Sequence, residues 1–575
     1  MKMRILYNTV AIGLIVGFVI GIIFSINKIV ANRYVHYEMF RLIIYSFQEY
    51  LNKSILIVVS ISFVLFIGYL VILFVITLMG KSVPSKQNEY SKKFNKFIAV
   101  KYSRVASPFL VLSVLILNLT ILFYSGNDSK IPNIILISID DLRADHLGCY
   151  GYKRNTSPHI DSFAKRNIIF KNCYVHQPWT LPSHISMLTS LYPITHGVDM
   201  SHSLEPAIVT LAEVLKNEGY MTMGFVGVGV WMDAKYGFSQ GFDHYNAGKP
   251  EESAEDKNKF IRKYLEKHKK KKLFLFIHYF DVHSDFNKLP YDAPSPFNNL
   301  FSGGYKGDFK GGDEGRFASK YLSYLNKNQI KLEESDLEYI ISLYDNGIAY
   351  MDKCIGDLFE ILKNMDLFDK SLIIITADHG EEFQEHGYML HANPYYFEEI
   401  MHVPLIVKLP KTRSNFRGSG EGKVVNGLVE SIDIMPSIVD ILGIEKYGIE
   451  GKSFVDLLEG DERGKEYIFG FGSDGSLFIR TERWKMLNDS SLQEGRFKLF
   501  DLQSDPREWA NLIGKGLEIE GQLKRKLKEK IELSQKLRKD LLKKRDISRD
   551  IERDYKDVSL TQEEKEKLQA LGYLQ

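Results

Sequence analysis

Three long apolar runs without a charged side chain, at positions 7–27, 55–79 and 106–124, dominate the first 130 residues. Each reaches the roughly 20 residues that a helix needs to cross a hydrocarbon core. The pattern therefore predicts three transmembrane helices. A cleaved signal peptide fits poorly, because the first run is too long and lacks a small-residue cleavage site.

Beyond residue 130 the texture changes to short apolar runs alternating with amphipathic stretches. Residues 133–139, 273–277 and 371–376 read as strands without polar alternation, as in a sheet covered on both faces by helices. Stretches 210–217 and 338–364 have the helical period that would supply the cover. From about residue 516 the chain is densely charged, with Leu517, Leu523, Leu527, Ile531, Leu537 and Leu541 near helical spacing. That predicts a long amphipathic helix lying on the domain or pairing with another chain. Thr561 and Glu564 form a capping box for a final short helix. The expected organisation is a membrane domain at 1–130, a catalytic domain at 131–515 and a charged helical tail at 516–575.

Charge orients this scheme. The loop between the first two apolar runs holds Lys28, Arg33, Arg41 and Lys53, whereas the next holds Lys81, Lys86, Lys92, Lys93, Lys96, Lys101 and Arg104. The richer loop is expected in the cytoplasm, which puts everything after the third run on the outer side. The expected location is thus the cell membrane, multi-pass, with an extracytoplasmic catalytic domain and the lipid bilayer as a partner. The net charge of +2 is a cancellation, since residues 1–130 carry 14 basic and 4 acidic side chains, 131–515 carry 44 and 55, and 516–575 carry 16 and 13. A net charge so near zero argues against nucleic acid as a partner of the whole chain, because phosphate recognition leaves a strong basic signature. With 45% hydrophobic and 25% charged residues, the chain is neither disordered nor collagen-like. Cys149, Cys173 and Cys354 are too few for a disulfide scaffold and form no C-x-x-C pair.

The three strands end on chemistry. The first runs into Asp140 and Asp141, the second into His278, Asp281 and His283, and the third into Asp378 and His379. Open α/β sheets gather ligands at this edge. A lone Asp there is usually a helix cap, but carboxylates and imidazoles at three strand ends would repel or stay unpaired without a cation. A divalent metal is therefore expected: oxygen ligands suit calcium, magnesium or manganese, and histidines pull towards zinc or manganese. An Asp281–His283–His391 set is a candidate for a second metal, against a metal-free anion pocket. Residues 178–193 read P-W-T-L-P-S-H-I-S-M-L-T-S-L-Y-P, which places Thr180 near a helix amino terminus, where an anionic phosphoryl or sulfuryl group is well received. Glu381 and Glu382 read as helix-start carboxylates beside the site. His146, His176, His196 and His386 read as loop or core residues.

These segments together resemble the sulfatase family of the alkaline phosphatase superfamily. The resemblance is carried by N-I-I-L-I-S-I-D-D-L-R-A-D from Asn133, S-P-H-I-D-S-F-A from Ser157 and T-L-P-S-H-I-S-M-L-T-S-L-Y-P from Thr180. It continues through H-Y-F-D-V-H from His278, T-A-D-H-G-E-E-F-Q-E-H-G from Thr376, V-P-L-I-V from Val403 and L-F-D-L-Q-S-D-P-R-E-W-A-N-L from Leu499. It implies an α/β fold, alkaline-phosphatase-like, with a central mostly parallel sheet sandwiched by helices and a smaller C-terminal sheet subdomain, here preceded by the three transmembrane helices. It further implies a divalent cation on Asp140, Asp141, Asp378 and His379, a nucleophile at Thr180, and His283 and His391 acting on the transferred anion or the leaving oxygen. His184, His278 and Asp281 are the expected substrate-binding residues.

The departures are equally informative. Typical sulfatases carry Cys or Ser, matured to formylglycine, where this chain has Thr180, and Arg where it has His184. The lysine expected after the E-H-G motif is absent, with His391 in that neighbourhood. A Thr nucleophile resembles the phosphoryl-transfer branches of the superfamily. The expected activity is metal-dependent hydrolysis or transfer at a phosphate or sulfate ester through a covalent Thr180 intermediate, with phosphoryl chemistry favoured. The alternatives are a sulfuric ester hydrolase using Thr180 directly and a catalytically silent membrane binding protein. The substrate is expected to be an anionic ester on a lipid, cell-wall polymer or surface glycan, with specificity carried by the motif-free insertion at 285–331.

Overall fold

The computed structural model describes residues 132–543, apart from short internal segments of which 312–317, 412–421 and 489–496 are the longest, together with residues 561 and 565. The three apolar runs lie outside the described residues. Among the described residues, no helix is long and apolar enough to cross a membrane.

The central sheet is built from β1 (Asn133–Ile139), β2 (Ile168–Tyr174), β3 (Met221–Phe225), β4 (His244–Asn246), β5 (Leu273–Tyr279), β6 (Ser371–Ala377), β7 (His402–Lys408), β8 (Val424–Val425) and β9 (Val429–Glu430). Their order is β4-β3-β5-β1-β6-β7-β2-β8, with β9 also paired to β2. Every pairing is parallel except those of β7 with β6 and with β2. Strands β5 and β6 are buried at every position and β1 at every position after Asn133. Runs such as I-I-L-I-S-I can fill such a strand because both its faces meet apolar neighbours, each large side chain contributing about 1.5–3 kcal/mol on burial.

Helices α1 (Pro158–Lys165), α2 (Thr180–Thr189), α3 (Leu211–Asn217), α4 (Ala254–His268), α5 (Glu334–Asn364) and α6 (Ile434–Leu442) supply the cover. They form two groups: α5 packs with α1 and α4, and α2 packs with α3 and α6. The α3 start is written locally. Thr210 accepts from the Glu213 backbone N–H while the Glu213 carboxylate takes the Thr210 N–H, a reciprocal cap. Helix α5 begins four residues before the stretch with clear helical period, at Glu334. Acidic Glu334 and Asp336 in its first turn favour that earlier start.

A second sheet of four antiparallel strands, β10 (Ile468–Phe471), β11 (Leu477–Arg480), β12 (Trp484–Asn488) and β13 (Phe497–Asp501), forms the smaller carboxyl-terminal layer. Buried Lys485 ties it to the main body through Glu398 at 3.1 Å and also pairs with Glu508, just past β13, at 2.9 Å. The tail helix α7 (Glu518–Lys543) lies on the domain, with Leu523 and Leu527 buried among Tyr192, Ile432, Phe471 and Met486. Arg538 donates to the Thr195 carbonyl, and Lys530 and Ser534 both reach Glu450. Of the final short helix only Thr561 and Lys565 are described. Cys149, Cys173 and Cys354 are free thiols.

Candidate active site

Strand register assembles the site. Ile139, the last residue of β1, stands between Tyr279 of β5 and Ala377 of β6, so the residues that follow each strand emerge side by side. Asp140, Asp141, Asp378 and His379 are all completely buried there. His278 lies inside β5 rather than beyond it, and its Nε2 is 3.2 Å from Asp140 Oδ2. Gly227 N donates to His278 Nδ1, so the ring proton sits on Nε2, facing the carboxylate.

Thr180 is the first residue of α2, whose ten residues are all buried. Pro182 follows within the first turn, where its missing N–H breaks no helical bond. Ser183 Oγ donates to the Asp378 carbonyl at 2.6 Å, which seats the helix end against the strand end. Thr180 Oγ1 lies 3.5 Å from His379 Nε2.

His379 shows what the cluster lacks. Its Nδ1 is 3.1 Å from the Gly380 carbonyl, which can only accept, so Nδ1 carries the proton and Nε2 presents a lone pair. That lone pair is 3.5 Å from Asp140 Oδ1 and 3.3 Å from Asp378 Oδ2. Both side-chain oxygens of Asp140 and of Asp141, and Asp378 Oδ2, are buried without a hydrogen bond. Among the described residues, the ion-pair partners of these three carboxylates are all imidazoles. Acceptors converging on acceptors in a buried place are costly unless a cation lies between them. The donor set of Asp140, Asp141, Asp378 and His379 fits a divalent metal.

The electrostatics agree. Burial pushes Asp140 up to about 7, with the Asp141 charge adding to it and the imidazoles of His283 and His391 opposing. Burial, reinforced by Asp140, pushes Asp378 well above the carboxylate range. Asp141 goes the other way: against burial, His283, His391 and His379 hold it well below. Desolvation also drives His184 and His278 well below the usual imidazole range, so both are neutral.

His283 Nε2 lies 3.5 Å from Asp141 Oδ2, and His391 Nδ1 lies 2.9 Å from both Asp141 Oδ1 and Glu381 Oε2. Here the structure corrects the expected Asp281–His283–His391 set. Asp281 accepts from Ala254 N at 2.8 Å and caps α4, while Asp141 takes its place beside the two histidines. The reason is the backbone of Asp141, whose φ of 57° turns its side chain into the site. Glu381 and Glu382 begin no helix; they lie in an irregular segment after β6. Glu381 is a site residue that sequence reasoning misplaced, and its only signal is adjacency to the Asp378–His379 pair. Glu382 instead accepts from His386 N at 2.8 Å and organises the loop.

His184 faces protein rather than solvent. Its Nδ1 is 2.9 Å from the Thr180 carbonyl and its Nε2 2.9 Å from Ser138 Oγ, so a substrate oxygen would have to displace one of these bonds. Of the insertion at 285–331, the helix Ala318–Lys327 is placed to matter. Asn326 exchanges two hydrogen bonds with the Met389 backbone, at 2.6 and 2.7 Å, two residues before His391. His146, His176 and His196 are held by Asp345, the Phe469 carbonyl and Ser186, and His386 stacks on Phe397.

Comparison with known proteins agrees with this architecture. The sulfatase family model matches residues 132–444, and a second, described as N-sulphoglucosamine sulphohydrolase, C-terminal, matches 384–536. An ulvan-active sulfatase of Formosa agariphila is 27% identical over 433 residues, covering 69% of this chain and 81% of the relative. An arylsulfatase of Clostridium perfringens is 24% identical, covering 66% and 90%. Among solved structures, a phosphonate monoester hydrolase of Agrobacterium radiobacter has a TM-score of 0.56 at 20% identity, covering 71% of this chain and 96% of that one. A protein solved with its substrate D-glucosamine-2-N,6-O-disulfate has a TM-score of 0.55 at 20% identity, covering 72% and 99%. With the alkaline-phosphatase-like sheet, the smaller carboxyl-terminal sheet and a family match across most of the large domain, this chain belongs to the sulfatase family of ester hydrolases.

Proposed function

We propose that the chain cleaves or transfers a phosphate ester through a covalent Thr180 intermediate, aided by a divalent cation on Asp140, Asp141, Asp378 and His379. The observation that carries this reading is the placement of Thr180 Oγ1 3.5 Å from the His379 Nε2 lone pair, beside buried, unpaired carboxylate oxygens. When bound, the cation lowers the pKa of the Thr180 hydroxyl and offsets charge on the non-bridging oxygens. Thr180 Oγ1, its proton already released to solvent, attacks in line as an alkoxide, its O–P bond forming as the bond to the leaving oxygen breaks, and it departs again as the alkoxide when the ester is resolved. His283 and His391 supply positive charge at the leaving oxygen, in the simplest form as a protonated imidazole that gives up its proton. The resulting neutral imidazole then takes a proton from the water or acceptor hydroxyl that resolves the Thr180 ester. His278 orients Asp140, and His184 holds the first turn of α2.

Phosphorus is favoured over sulfur because the nucleophile is Thr, which cannot mature to formylglycine. Sulfate ester hydrolysis by Thr180 directly is the second reading, favoured by the ulvan-active sulfatase and arylsulfatase relatives. The three uncharged apolar runs support a multi-pass membrane anchor with the catalytic domain outside the cytoplasm. A lipid, cell-wall polymer or surface glycan ester follows from that location. The test is to quench turnover of aryl phosphate, phosphodiester and sulfate substrates and weigh the peptide containing Thr180. A phosphoryl adduct that disappears in Thr180→Ala is expected; a sulfuryl adduct selects the second reading. Full turnover by Thr180→Ala would overturn both.

A further inference from the structure

Asp141 takes part in two clusters at once. With Asp140 and His379 it lines the first cation site; with His283 and His391 it forms a second buried trio whose ligand atoms all lie within 4.8 Å of one another. The His283 and His391 rings stand at 75° with centroids 5.0 Å apart, both turned to the same carboxylate. Ligand atoms around a zinc ion bonded at about 2 Å sit about 3.3 Å apart. The 3.5 Å separation from Asp141 Oδ2 to His283 Nε2 is close to that spacing.

Two further observations point to a ligand. Glu381 Oε2 lies 2.9 Å from His391 Nδ1, the carboxylate-on-imidazole contact that orients a metal-bound histidine and leaves its other nitrogen as the donor. Glu381 Oε1 and both Asp141 oxygens are buried without a hydrogen bond. Ionised, the four carboxylates of Asp140, Asp141, Asp378 and Glu381 balance two divalent cations rather than one.

We propose that Asp141, His283 and His391 hold a second divalent cation, zinc or manganese rather than calcium, with Asp141 shared between the sites and Glu381 orienting His391. Two imidazoles select these ions over calcium, which prefers oxygen. The proposal rests on the cation-dependent reading of the first site and refines it. Charge compensation at the leaving oxygen stays where His283 and His391 stand, but these rings serve as neutral ligands and the ion supplies the charge. His391 is central, because it stands in the neighbourhood where the family resemblance calls for a lysine, whose ammonium cannot ligate.

The full-length chain, stripped with a chelator and titrated with manganese(II), tests this by metal content and electron paramagnetic resonance. Two equivalents with an exchange-coupled signal are expected, since paired ions of this type lie about 3.5–4 Å apart. His391→Lys and His283→Gln should each bind one equivalent with an uncoupled signal, at unchanged far-ultraviolet circular dichroism. One equivalent in the unaltered chain overturns the second site and leaves the proposed function standing, whereas none overturns both. Two coupled ions retained by both variants would overturn the ligand assignment.

Discussion

The phenol of Tyr344 donates to the backbone carbonyl of Asp141 across 2.6 Å, joining the middle of α5 to the turn that aims the central carboxylate of the site. The phenol oxygen of Tyr344 in turn accepts from Arg143 N at 2.9 Å. Asp141 has a φ of 57°, a left-handed conformation that a non-glycine residue holds only when its surroundings enforce it.

Tyr344→Phe keeps the ring packing on Tyr291 and Phe383 but leaves the Asp141 carbonyl and the Arg143 N–H without this partner. A loss of about 1–3 kcal/mol in unfolding free energy is expected. Because the lost bonds position a carboxylate of the proposed cation site, cation affinity should also fall, by about 10- to 100-fold. Urea melts and a metal titration read the two effects. Weaker folding with unchanged affinity would show that Tyr344 only packs.

Cation binding should stabilise the fold as well as activate it, because the buried oxygens of Asp140, Asp141 and Asp378 repel without it. At 100 times the dissociation constant the gain is about 2.7 kcal/mol. A chelator should lower the melting temperature of the wild-type chain and leave that of Asp378→Asn nearly unmoved. Equal shifts in both would place the stabilising ion elsewhere.

Glu382 gives a pH dependence of definite sign. Burial, with the charges of Glu385 and Glu399, pushes its carboxyl up to about 8, against the bond from His386 N. The folded chain thus keeps a proton that the unfolded chain has lost above its ordinary value of 4.5. Stability from this group is present at low pH and declines as pH rises from about 4.5 to 8, by up to about 1.4 kcal/mol per pH unit. Glu382→Gln should show a shallower decline and exceed the wild type in stability at pH 8. A steeper decline would count against the assignment.

The tail helix should behave as part of the domain. Leu523 is fully buried, so Leu523→Ala is expected to cost about 2–5 kcal/mol. Leu533, on the same helix but 63% exposed, should change stability by less than about 0.5 kcal/mol when cut to Ala. Equal effects in chemical denaturation would mean that α7 leaves the domain in solution.

Much of this architecture is legible in the amino-acid sequence alone. Strands β1, β5 and β6 announce themselves because a strand buried on both faces must be apolar throughout, and Asp140, His278 and Asp378 stand where those runs meet polar residues. The Thr210–Glu213 cap and the start of α2 at Thr180 are likewise local, since they depend on residues within one turn. The tail helix was legible as an amphipathic period, but not its seat on Tyr192 and Ile432, which comes from surfaces far away in the chain.

The chain's own order of residues thus determined the sheet, its polar edge, the helix start at Thr180 and the inventory of carboxylates and imidazoles. Tertiary structure decided which of them meet. Asp281 follows its strand by two residues, much as Asp141 does, yet one caps α4 and the other faces His283 and His391. Glu381 reads as one more acid after a strand until His391 arrives 2.9 Å away. The direction in which a side chain leaves a strand end depends on the backbone angle there. At Asp141 that angle is held by Tyr344, 203 residues further on, a constraint that no local pattern of polar and apolar positions can carry.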